Sequence, residues 1–168
     1  MCKLLGIVLV VVGFLGLSFD RVKEEKEGIT ALKEIKALAV YLCREIEYSH
    51  IPIPDICNEY LKRTDGLLGG FLEKVCSEAE EKIGESFESI WQKKVEEYKG
   101  FKEEKKQLIK LKKCFGFSNL KMQILALTQY IDDIENTILH REKKFQDNKK
   151  LILYFGVMSG LLLSIILL

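Results

Sequence analysis

Apolar and polar positions divide this chain into three stretches. Residues 4–19, which follow Lys3, carry no charge, residues 151–168, which follow Lys149 and Lys150, carry none either, and between them charged side chains recur every few positions. As helices, 16 and 18 residues would be roughly 24 Å and 27 Å long, close to the ~30 Å of a bilayer hydrocarbon core. The second run has only Ser159 and Ser164 as small polar side chains. It therefore lacks the polar stripe with which a helix packed on a soluble core faces water. Both runs are expected to be transmembrane helices. For the first, a cleaved signal peptide is the alternative: the start is basic and Gly16 and Ser18 are small, but no A-x-A pattern follows. Gly6, Gly13 and Gly16 in the first run, and Gly156, Gly160 and Ser164 in the second, are small residues of the kind that let two membrane helices approach closely.

The middle predicts an all-α helical bundle with two long antiparallel helices, continuous with the two spans, and shorter helices between them. From Asp20 to about Tyr48 no proline occurs, and Gly28, Leu32, Ile35, Ala39, Leu42 and Ile46 follow a 4-3-4-3-4 spacing, an interhelical seam. The stretch "SHIPIPD" ends that helix, because proline removes the preceding residue from helical geometry. Short helices are predicted over 54–63, 70–82 (stopped by Gly84), 87–98 (capped by Ser86) and 102–115 (stopped by Gly116). A long one, capped by Ser118, then carries the seam Leu120, Ile124, Leu127, Ile131, Ile134 and Ile138. Leu32, Leu42, Ile124 and Ile131 are expected to be buried where the two seams meet. The domains read as 1–19, an N-terminal span; 20–150, a cytoplasmic helical domain; and 151–168, a C-terminal span.

Charge sets the orientation. Arg21, Lys23 and Lys26, and Arg141, Lys143, Lys144, Lys149 and Lys150, lie on the inner flanks of the two runs, whereas Lys3 is the single base beyond them. That bias predicts a cytoplasmic middle. Residues 20–150 hold all 25 acids and 25 of the 26 bases, so their formal net charge is zero and nothing indicates a nucleic-acid surface. Five cysteines without a C-x-x-C pair read as small reduced hydrophobes.

Candidate chemistry is sparse. Glu47 and His50 form an E-x-x-H, half of a bundle di-iron motif, but the second histidine, His140, follows Thr137 by three residues, where a glutamate is needed. No phosphate loop, dinucleotide fingerprint or catalytic triad context is present. No catalytic residue, metal ligand, cofactor or small-molecule substrate is expected, and the protein is not expected to be an enzyme. Phe87, Ile90, Trp91 and Tyr98 make a mostly aromatic stripe at helical spacing, for which core packing and a partner surface are the competing readings. Phe87 and Trp91, with His50 at the bend, are the candidate partner-binding residues.

Five stretches, "KLLGIVLVVVGFLGLSFDRV", "EIEYSHIPIP", "GESFESIW", "FGFSNLKMQ" and "YFGVMSGLLLSIILL", together resemble the stage III sporulation protein AB family in order and spacing over essentially the whole chain. Ile51 stands where that family often has a small hydroxyl residue. The resemblance implies a membrane component of the feeding-tube channel complex in the outer forespore membrane. Its domain would face the mother cell and be distantly similar to the inner-membrane platform domains of type II secretion and type IV pilus machines. The implied partners are a cytoplasmic ATPase and other stage III sporulation membrane proteins. A generic membrane-anchored helical tether with unrelated partners is the alternative.

Overall fold

The computed structural model describes residues 2–49, 51–64, 66–82, 84–117 and 119–167, with side chains described within 23–148 of those spans and at Met158. These residues form six helices: α1 (Cys2–Tyr48), α2 (Ile53–Arg63), α3 (Gly69–Glu81), α4 (Phe87–Glu97), α5 (Lys102–Lys112) and α6 (Leu120–Leu167). The chain divides into two compact units, one of Met1–Ile29 with Leu139–Leu168, the other Thr30–Ile138. In the first unit the described residues are helical, with an exposed Lys23–Glu27 pair at 4.0 Å along α1. The expected boundaries at 19/20 and 150/151 fall inside α1 and α6. Among the described residues no helix is long and apolar enough to cross a membrane; apart from Met158, the two apolar runs lie outside the described side chains.

Within Thr30–Ile138, α1 and α6 pack antiparallel. Lys36 Nζ lies 2.9 Å from Glu135 Oε1, and Cys43 Sγ lies 4.0 Å from Thr128 Oγ1. Seven residues forward on α1 thus match seven residues back on α6, two helical turns in each direction. On α1 the expected seam is the buried face: Leu32, Ile35, Ala39, Leu42 and Ile46 are all enclosed, joined by Ala31 and Leu38. On α6 the face is turned from the expected one. Leu127, Ile134 and Ile138 are buried, but Gln123 and Tyr130 take the places expected for Ile124 and Ile131, which are half-buried, and Leu120 is exposed. The reason is polar. Tyr130 Oη donates to the Gln107 carbonyl at 3.1 Å and Gln123 Nε2 to the Phe115 carbonyl at 3.4 Å, so both polar tips find acceptors in the neighbouring segment while their stems fill the core.

Helix ends follow local chemistry. Ser49 closes α1 by bonding Glu45 through both its N–H and its hydroxyl, each at 2.8 Å. Pro52 begins α2 with its carbonyl accepting from Asp55 and Ile56, and Pro54 falls in the first turn, where its missing N–H costs nothing. The start of α3 is capped from α1: Glu34 Oε2 accepts the Leu68 N–H at 2.8 Å, a carboxylate set against a helix N-terminus. Gly66 makes room for it, since a β-carbon there would sit 2.5 Å from that oxygen. Gly84, at φ 109°, reverses the chain after α3 in the left-handed region. Ser86 caps α4, its hydroxyl accepting the Ser89 N–H at 3.3 Å. At α6 the cap is Asn119: its Oδ1 accepts the Lys121 N–H at 2.9 Å and its carbonyl the Gln123 N–H at 3.0 Å. The expected cap, Ser118, lies outside the described residues. Helix α5 ends at Lys112, three residues short of the expected end, in a turn over 113–115. Along the chain α2 packs on α3, α3 on α4 and α4 on α5.

Candidate functional site

Helices α3, α4 and α5 meet around one side chain. Trp91 is wholly buried; its ring stands edge-on to Phe71 and Phe115 with centroids 5.0 Å away in each case, and its Nε1 donates to the Leu108 carbonyl on α5 at 3.0 Å. Phe87, half-buried, leans on Trp91 at 5.9 Å and on Phe115 at 5.7 Å. As placed, Trp91 has no surface to present to a partner, because α5 covers its one polar atom and aromatic rings enclose its faces. The aromatic stripe is core, and Phe87 is its edge. Tyr98 continues the cluster toward α5: it packs edge-on to Phe71 at 5.5 Å and donates to the buried Glu104 Oε2 at 3.1 Å, an oxygen that also takes the Phe101 N–H at 3.1 Å. Burial, then the negative charge of Glu104, push the Tyr98 hydroxyl well above the usual tyrosine range.

His50 lies outside the described residues. Gly6, Gly13, Gly156 and Gly160 fall in helical stretches of α1 and α6 whose packing is outside the described side chains. The buried thiols are poor nucleophiles: burial raises Cys57 furthest and lifts Cys76 and Cys114 to about 11 each.

Two charged features were not apparent from the net charge of the middle. The first ties α3 to α4. Glu78 Oε1 meets Lys82 Nζ at 2.6 Å and Lys93 Nζ at 2.8 Å, and its Oε2 meets Lys94 Nζ at 2.5 Å. Hydrogen bonds from Lys82, Lys93 and Lys94 hold the Glu78 carboxyl far below the usual carboxylate range. Lys93 and Lys94 come from α4 and Lys82 follows the end of α3, so this is a clamp between elements. The second is the outward face of α5. Its buried positions are Glu104, Gln107, Leu108 and Leu111. The opposite side presents Lys102, Lys106, Ile109 and Lys113, all exposed, at 4-3-4 spacing. Phe117, before α6, and Leu120, Lys121 and Met122 in its first turn are exposed as well. Between Tyr98 and Met122 stand eight lysines and two glutamates, a formal net charge of +6 in a chain whose total is +1. A local charge sum would have found this face.

The model of the stage III sporulation protein AB family matches residues 3–168. The chain belongs to that family. Membership in the stage III sporulation protein AB family covers both long helices and everything between them, and it implies a role in stage III sporulation. Neither a curated protein nor a solved structure matches this family member.

Proposed function

We propose that this protein is a non-catalytic membrane component of the sporulation channel complex, a platform that links a cytoplasmic ATPase to the membrane assembly during endospore formation. Residues 1–19 and 151–168 are its spans and the intervening unit faces the mother-cell cytoplasm, in contact with the ATPase and with other stage III sporulation membrane proteins. The observation that carries this reading is helix continuity: α1 runs without interruption from the first apolar run to Tyr48, and α6 from Leu120 through the second. The Thr30–Ile138 unit is then joined to each apolar run through a helix rather than a linker. Within that unit α1 and α6 are paired through Lys36–Glu135 and Cys43–Thr128.

The test is to solubilise membranes of sporulating cells in mild detergent and purify the tagged full chain. The protein is expected in the membrane fraction with the stage III sporulation ATPase bound to it. Recovery in the soluble fraction, or from membranes with no ATPase at any salt concentration, contradicts the proposal.

A further inference from the structure

We propose that the outward face of α5 and the α5–α6 turn docks an acidic protein surface with an apolar centre. The inference rests on the platform reading and gives that platform a docking face.

The face has the two ingredients of an interaction hot spot. Ile109, Phe117, Leu120 and Met122 are exposed apolar side chains, between 37% and 51% accessible, in a region where lysine predominates. Among the described residues Lys102, Lys110, Lys113 and Lys121 have no ion-pair partner, Lys106 lies 3.5 Å from Glu103 and Lys105 donates to the Glu96 carbonyl, whereas the lysines around Glu78 are all paired. Helix stability accounts for part of this pattern: Glu103 and Glu104 in the first turn and Lys110 and Lys112 in the last suit the helix dipole, whereas Lys102, at the N-terminus of α5, opposes it. Unneutralised charge around an exposed apolar centre is complementary to an acidic surface built the same way.

A second copy of this chain fits less well. Residues 73–97 of this chain carry eight acids and four lysines, so a second copy would supply negative charge. Yet among the described residues no large apolar side chain is exposed on α3 or α4, and the apolar centre would go unmatched.

The experiment places a photo-crosslinking amino acid at Ile109, at Met122, or at the exposed α3 residue Ser77 in the full chain, in sporulating cells, and identifies adducts by mass spectrometry. Adducts are expected from Ile109 and Met122, to an acidic peptide of a protein. Lys102→Glu with Lys113→Glu, two exposed lysines without an ion-pair partner among the described residues, should lower their yield about tenfold with an unchanged melting temperature, and the milder Lys102→Gln with Lys113→Gln should give an intermediate yield. Adducts to lipid or to a second copy, adducts from Ser77 alone, none at all, or a yield indifferent to both double variants would overturn the proposal. An acidic partner that is neither the ATPase nor another stage III sporulation membrane protein leaves this docking face standing and removes the platform reading.

Discussion

Replacing Trp91 perturbs the one residue on which α3, α4 and α5 converge. The side chain is 0% accessible, is enclosed edge-on by Phe71 and Phe115, and donates one hydrogen bond to the Leu108 carbonyl. Removing a buried tryptophan down to alanine costs about 3–5 kcal/mol, the transfer term and the cavity together. Trp91→Phe keeps an aromatic ring but loses the hydrogen bond, worth about 1 kcal/mol, and part of the volume, so about 2 kcal/mol is expected. Since domains of this size are stable by about 5–15 kcal/mol, the alanine variant forfeits a large share of the total. The assay is urea unfolding of residues 20–150 followed by far-UV circular dichroism, because the chain has a single tryptophan and the variant loses that fluorescence. With a urea slope of about 2 kcal/mol per molar, Trp91→Ala should lower the midpoint by about 2 M and Trp91→Phe by about 1 M. A shift below about 0.5 M for Trp91→Ala would refute the packing argument.

Other expectations are local. Gly84→Ala should cost about 1–2 kcal/mol, because φ 109° strains a β-carbon although the surrounding space is open; equal melting temperatures would contradict that. Glu78 has a folded pKa below its unfolded one, so its stabilisation is present above the ordinary carboxylate pKa and disappears as the pH falls through the lower, folded value. Lys82, raised by the same contact, keeps its share below its ordinary pKa and loses it only in stronger alkali. The urea-midpoint gap between the wild type and Glu78→Gln should therefore be widest from pH 6 to 9 and narrow in acid; a gap that widens in acid would contradict the clamp. Leu127→Ala should cost about 2–5 kcal/mol and the half-buried Ile131→Ala clearly less, a ranking that thermal melts of both variants check.

How much of this was legible in the sequence depended on which physical signal was local. Helix number, order and most ends were readable because proline, glycine and serine act within a few residues: Pro52, Gly84 and Ser86 each do what their chemistry dictates. The α1 seam was readable because its apolar positions also face the core. The α6 face was misjudged by a fraction of a turn, since apolar spacing favours Ile124 and Ile131 and cannot anticipate that Gln107 and Phe115 offer carbonyls to Tyr130 and Gln123 from across the bundle. Trp91 was ambiguous for the same reason: an aromatic stripe has the same spacing whether it faces a core or a partner, and only α5 lying over it decides. The basic face of α5 was missed because charge was summed over 131 residues, where it cancels.

The account stands most directly on where the Thr30–Ile138 unit lies relative to a membrane. A full-length variant with its native cysteines replaced and one cysteine at Ser77, an exposed position on α3, can be expressed in intact cells and treated with a membrane-impermeant thiol reagent before and after permeabilisation. The account predicts membrane-bound protein that is labelled only after permeabilisation. Strong labelling of intact cells, or protein that leaves the membrane fraction, would contradict it.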